Sequence, residues 1–356
     1  MSADGILIPN LHKALFVGGN EAKKILTVFT KTSLQIQKMT KRTYNYPEYS
    51  FRNNMKPLTT LITFLLLLSY CNTITRSKSI NDNKVHKVIL KEPSYKLGLL
   101  IGISVDKDDN IYILHRAGRD FNTELREPIN IPVILKYNKE EKLIDSLGIG
   151  LFTLPHMITI DKQDNLWVTD VALQQILKLD SKGNLLYSLG EKYRSGNDSS
   201  HFNLPTDIAF LKDNSFYITD GYKNARIVKY SSDGKFIKTW GVKGDKIGEF
   251  NLPHSIALTN NKIYVADREN SRIQVFDFNG KFISELNLKE ATGNPLALTI
   301  DKNGKIIVTG FNATILLTPK LKEIKRWPVS GHDIAINSKG TIYLVGRDGL
   351  FKIASD

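Results

Sequence analysis

The sequence predicts an all-β chain whose body is a six-bladed β-propeller, preceded by a short export segment. Three observations predict it. One pattern recurs six times: an alternating strand, a turn rich in Asp, Asn, Gly and Lys, then a second apolar strand. Further short strands follow each recurrence, making four per repeat of roughly 35–55 residues, as blades around a channel require. No long stretch with a 3.6-residue period occurs after residue 80, which leaves no room for a helical layer.

Taken in chain order, residues 1–54 show no clear period and end in a polar run, Thr40 to Asn54. They read as an over-extended start upstream of Met55, the alternative being a disordered leader. Residues 55–71 (MKPLTTLITFLLLLSYC) place Lys56 before an apolar run from Leu58 to Leu68. That run is shorter than the about 20 residues a spanning helix needs, and it fits a cleaved signal peptide. Leu68-Ser69-Tyr70-Cys71 resembles a lipobox, with Tyr70 where a small residue is usual, so Cys71 is the expected point of lipid attachment. It is the sole cysteine, which excludes an internal disulfide framework. The expectation is export to the cell envelope on a lipid anchor. Residues 1–70 carry a net charge of +6 of the chain's +13. The remaining excess is scattered as single lysines with no arginine-rich stripe, which does not indicate nucleic acid.

Residues 72–84 read as a linker and 85–356 as the propeller, expected to be a monomer. The first strands and turns are IGISVDKDDN (101–110), HMITIDKQDN (156–165), TDIAFLKDNS (206–215), HSIALTNNK (254–262), LALTIDKNGK (296–305) and HDIAINSKGT (332–341). The second strands are IYILHR, LWVTDV, FYITDG, IYVADR, IIVTGF and IYLVGR. The sixth repeat ends after its third strand, Leu350 to Ile353. VHKVIL (85–90) is expected to supply the fourth, closing the ring and removing two exposed edges. The Asp/Asn turns lack EF-hand spacing and its terminal bidentate Glu, so they are not calcium loops.

Aligned on the turns, one position holds Ile101, His156, Thr206, His254, Leu296 and His332. Histidine occupies blades 2, 4 and 6 alone. Alternate blades of a six-fold ring are related by a three-fold rotation, so the imidazoles converge on the axis. Three histidines with an open fourth position make a catalytic zinc arrangement; imidazole alone does not exclude copper or iron. Pro155 and Pro253 stiffen the approach to two of them. After the second strands, a second shared position holds Arg116, Val171, Gly221, Arg268, Phe311 and Arg347, with Tyr222 following Gly221. Arginine offers a fork that matches a carboxylate. A tyrosine beside a cation can act as a general base. The plainer alternative makes Arg116 and Arg268 rim residues in surface ion pairs.

The turns resemble NHL repeats. Residues 151–180, 201–241 and 248–277, with TDVAL, TDGY-NARI and ADREN-RIQ, resemble the peptidyl-α-hydroxyglycine α-amidating lyase family over roughly residues 95–356. The resemblance implies zinc on His156, His254 and His332, an essential Tyr222, and substrate-binding Arg116 and Arg268. It also implies a structural calcium held by the carbonyls of Ile103 and Ile158 and the carboxylate of Asp333. The implied reaction cleaves the C–N bond of a peptidyl or N-acyl α-hydroxyglycine to a primary amide and glyoxylate. The hydroxylated precursor is then expected from a separate copper monooxygenase activity. Departures are the missing disulfide cysteines (Lys223 follows Tyr222), a short blade 5, and Pro328-Val329-Ser330-Gly331 before His332 in place of Met-Pro. The alternative function is a non-catalytic surface propeller that binds a peptide or glycan, with a structural metal.

Overall fold

Six antiparallel four-stranded sheets follow one another along the chain. The computed structural model describes residues 84–354, apart from Glu92 and Asn260. Residues 1–83, and with them the expected signal segment, Cys71 and most of the linker, lie outside the described residues. Blade 1 holds β2 (Leu100–Val105), β3 (Ile111–His115), β4 (Ile134–Tyr137) and β5 (Leu143–Leu147). Blade 2 holds β6 (Pro155–Ile160), β7 (Leu166–Asp170), β8 (Gln175–Leu179) and β9 (Leu185–Leu189). Blade 3 holds β10 (Asp207–Phe210), β11 (Phe216–Asp220), β12 (Arg226–Tyr230) and β13 (Phe236–Trp240). Blade 4 holds β14 (Pro253–Leu258), β15 (Ile263–Asp267), β16 (Arg272–Phe276) and β17 (Phe282–Asn287). Blade 5 holds β18 (Pro295–Ile300), β19 (Ile306–Gly310), β20 (Thr314–Leu317) and β21 (Glu323–Trp327). It keeps all four strands, so its shortness lies in its connections.

Blade 6 is the closure. It takes β22 (Asp333–Ile336), β23 (Ile342–Gly346) and β24 (Gly349–Ile353) from the C-terminal end and β1 (Val85–Val88) from the N-terminal side. β1 pairs with β24 in register Val85↔Ile353 to Val88↔Leu350. The expected strand thus forms, two residues shorter than VHKVIL, and Ile89 beyond it is exposed.

Why the second strands read as unbroken apolar runs is visible in their burial. β3, β7, β11, β15, β19 and β23 are buried at every position, because both faces of a blade pack against neighbouring blades. Outer strands such as β17 alternate instead. Apolar clusters join consecutive blades, for example Trp167, Ile208 and Phe216 between blades 2 and 3. Leu100, Ile113, Tyr343 and Val345 join blade 6 to blade 1. Each repeat therefore buries its faces only when its neighbours are present.

The turns between first and second strands carry their own explanation. In Asp106, Asp161, Asp301 and Asn337 the side-chain Oδ1 accepts from the N–H groups two and four residues on. These are Asx turns that tie hairpins shut, which accounts for the Asp/Asn clusters without any ion.

Candidate metal centre

In blades 1, 2, 4 and 5 a β-bulge builds the channel end of the first strand. The ladder slips between Pro155 and Met157, between Pro253 and Ser255, between Leu100 and Gly102, and between Pro295 and Ala297. His156 and His254 are the extra residues, and a bulge turns such a side chain out of the sheet, here into the channel. In blade 6 the histidine precedes the strand, its N–H donating to Val345 O at 2.6 Å.

The three imidazoles form a near-symmetric ring. Their centroids lie 4.9, 5.0 and 5.1 Å apart, with interplanar angles of 73°, 77° and 76°. One ligand nitrogen from each lies within 4.8 Å of the other two. His156 Nδ1 donates to Thr206 O at 2.9 Å, His254 Nδ1 to Leu296 O at 2.6 Å, and His332 Nδ1 to Ile101 O at 2.7 Å. These acceptors are the non-histidine members of the same repeat position, each in the next blade. A carbonyl can only accept, so every Nδ1 carries the proton and every Nε2 presents a lone pair to the axis. That is how an outer hydrogen bond fixes the tautomer of a ligand histidine. Burial first, with the neighbouring positive groups, holds all three below the ordinary histidine range, His332 down to about 3. Neutral and inward-facing, the set fits a divalent transition metal.

Tyr222 caps the ring. Its hydroxyl lies 3.0 Å from His156 Nε2 and 3.5 Å from His254 Nε2. Gly221 makes this approach possible: a Cβ there would stand 2.1 Å from Pro253 O, on the strand that bears His254. Asp220 anchors the same loop from below, accepting from Asn203 N, Asn224 Nδ2 and Arg226 Nε. Burial raises the Tyr222 pKa, and Arg268 and Arg116 counter that only in part.

Arg116 is 3% exposed, donates from Nε to Pro155 O at 3.0 Å and has no partner for its buried Nη2. Among the described residues it makes no ion pair. Arg268 does pair, with Glu269 Oε1 at 2.8 Å, and its guanidinium lies 5.7 Å from the centre of the Tyr222 ring. A cavity of about 670 Å³ brings Arg116, Arg268, Tyr222, His332, Phe311 and Arg347 together. Val171 is buried beneath it and lines nothing. Phe121, absent from the repeat alignment, also faces the cavity, its ring 5.0 Å from Tyr222. The signal for it is the long β3–β4 connection of blade 1.

A second cavity, of about 450 Å³, contains Ile103, Ile158 and Asp333 together with Asp207. Ile103 N donates to Asp333 Oδ2 at 2.9 Å. Since N–H and C=O of one residue share an edge in an antiparallel ladder, the Ile103 carbonyl faces the channel too. Asp207 and Asp333 occupy the same repeat position, and both are pushed up by burial, Asp207 to about 6. Asp207 was legible from that equivalence and was missed.

Fold and site together define a propeller of NHL repeats with a trihistidine centre at one end of its channel. The NHL-repeat model matches residues 202–230 and 250–276. A Caenorhabditis elegans protein named "Probable peptidyl-alpha-hydroxyglycine alpha-amidating lyase" is 37% identical over 228 residues, 60% of this chain and 64% of that one. Peptidyl-alpha-hydroxyglycine alpha-amidating lyase 1 of Drosophila melanogaster is 30% identical over 78% of this chain and 56% of its own length. Peptidyl-glycine alpha-amidating monooxygenase of Mus musculus is 35% identical over 69% and 29%. The matches span less than two thirds of these relatives. Among solved structures, virginiamycin B lyase from Staphylococcus aureus superposes with a TM-score of 0.54 at 16% identity, covering 77% of this chain and 99% of that one. A gluconolactonase from Xanthomonas campestris gives 0.56 at 13%, covering 73% and 87%. These two share the fold. By sequence, the chain carries NHL repeats and is similar to proteins named peptidyl-alpha-hydroxyglycine alpha-amidating lyase.

Proposed function

We propose that the chain is a zinc-dependent carbon–nitrogen lyase that converts an N-acyl-α-hydroxyglycine to a primary amide and glyoxylate. The observation that carries this is the juxtaposition of a phenol, 3.0 Å from a ligand nitrogen, with two arginines in one cavity. Zinc on the three Nε2 atoms would supply Lewis acidity toward the substrate hydroxyl. Arg116, with its unsatisfied Nη2, and Arg268 hold the glycine carboxylate. Tyr222, as phenolate, takes the hydroxyl proton; the oxygen closes to the aldehyde as the C–N bond breaks. The same proton passes to the departing amide nitrogen, so atoms balance without water or a redox partner. The arginines lower the cost of the phenolate that burial raises. A purely binding propeller has no use for this set.

A structural calcium on the Ile103 and Ile158 carbonyls and Asp333 belongs to the same proposal, as does export on a lipid at Cys71. The test is incubation of the purified protein with α-hydroxyhippurate and measurement of glyoxylate. Release is the expected result; about one zinc per chain with no glyoxylate would overturn the lyase.

A further inference from the structure

The cavity over the histidines carries more positive charge than one carboxylate uses. Arg116, Arg268 and Arg347 all line it, with Asp348 as the single lining carboxylate. In the lyase reading, Arg116 and Arg268 meet the carboxylate of the hydroxyglycine. Arg347 is left over. It is exposed and makes no hydrogen bond or ion pair with any described residue.

Its place is set by a tight connection. β23 and β24 are joined by Arg347 and Asp348 alone, closed by the Gly346↔Gly349 pair. Gly346 packs so closely on blade 6's histidine that a Cβ would lie 3.2 Å from His332 N. The corresponding connection between β3 and β4 in blade 1 runs through residues 116–133. The two-residue connection of blade 6 is the shortest of the six between second and third strands, and it carries a free guanidinium into the cavity that His332 also lines. Phe121 and Phe311, 47% and 55% exposed, give the cavity apolar walls. An apolar stem ending in an anion matches that surface.

We propose that Arg347 is a specificity-determining residue, selecting substrates whose acyl part carries a second carboxylate. This rests on the lyase reading for its orientation of the substrate. The second carboxylate could come from an acidic residue before the hydroxyglycine or from a dicarboxylic acyl group. The pairing is charge-assisted, lies at an exposed rim, and is screened by salt.

Calorimetry with two uncleavable ligands of equal chain length tests it: N-glutarylglycine and N-pentanoylglycine, on the zinc-loaded full chain. Wild type is expected to bind the glutaryl compound about 3- to 5-fold more tightly at low salt, with the margin shrinking at high salt. Arg347→Ala brings the ratio to about 1 and Arg347→Glu inverts it, which a general folding defect would not do. N-acetylglutamylglycine against N-acetylglutaminylglycine separates the two sources: a margin there assigns a peptide, a margin confined to the glutaryl pair an acyl acid. Equal affinities in wild type, or a margin that survives Arg347→Ala, overturns the inference. Glyoxylate release from α-hydroxyhippurate by the wild type is scored separately, so equal affinities in wild type with turnover intact sink this inference alone, and a margin in wild type without glyoxylate release sinks the lyase.

Discussion

At each histidine, one nitrogen is committed to the main chain and the other to the axis. Because the partners are the carbonyls of Thr206, Leu296 and Ile101, no side-chain substitution can remove them, and the donor set is insulated from drift in its surroundings. Removing any one histidine leaves two ligands, so His156→Ala, His254→Ala and His332→Ala should each drop bound zinc from about one per chain to a small fraction, read by metal analysis. Tyr222→Phe should keep the zinc and cost about 100- to 10,000-fold in turnover, read by glyoxylate release. Acidity tests the buried imidazoles in the metal-free protein. Their folded pKa values lie below 6.5, so the unfolded chain binds more protons as pH falls from 6.5 toward about 3, and stability falls with it. Asp207, shifted up to about 6, acts with the opposite sign over about pH 4 to 6, and the other buried aspartates with raised pKa, Asp170, Asp220, Asp267 and Asp333, share its direction. The histidine share is isolated by substitution: relative to wild type, His332→Gln should lose less of its urea midpoint on acidification.

Loops decide whether those residues meet. Gly221 is a spacing device: its missing Cβ lets the Tyr222 loop rest on Pro253 O at van der Waals range. Gly221→Ala should lift Tyr222 off the ring, leaving zinc content near wild type while turnover falls at least about 10-fold, measured side by side on one preparation. The histidine ring and the turns were legible because the repeat superimposes equivalent positions, and a three-fold subset stands out against a six-fold background. Arg116, Arg268 and Tyr222 were legible at or just after the shared position that follows the second strands, but that position also holds Val171, Gly221 and Phe311, and only the resemblance singled the three out as essential. Phe121 was not legible at all: it sits in the long β3–β4 connection, outside the repeat. The carbonyl acceptors have no letter in a sequence, and the bulges that aim His156 and His254 arise from ladder geometry that Pro155 and Pro253 hinted at but did not specify. Asp207 is the instructive omission, since Thr206-Asp207 and His332-Asp333 stand in the same register.

On the scale of the whole ring, closure depends on four residue pairs between β1 and β24. Deleting residues 80–92 strips blade 6 of its outer strand and exposes an edge. Thermal unfolding should then broaden and move to lower temperature, whereas one sharp transition at the wild-type midpoint would contradict closure by this strand. Anchoring is read at the same scale: Cys71→Ala should shift the protein from the membrane to the soluble fraction on centrifugation. The closing strand also carries a directional consequence. Val88 pairs with Leu350, at the end of the sheet where Val345 meets Asp333 beside His332, while Val85 pairs with Ile353 at the opposite end. The chain therefore joins the disc from the underside, away from the imidazoles. Val85, where the closing strand begins, thus lies at the face of the ring opposite the mouth over Tyr222, so closure and chemistry are worked from opposite ends of the same sheet.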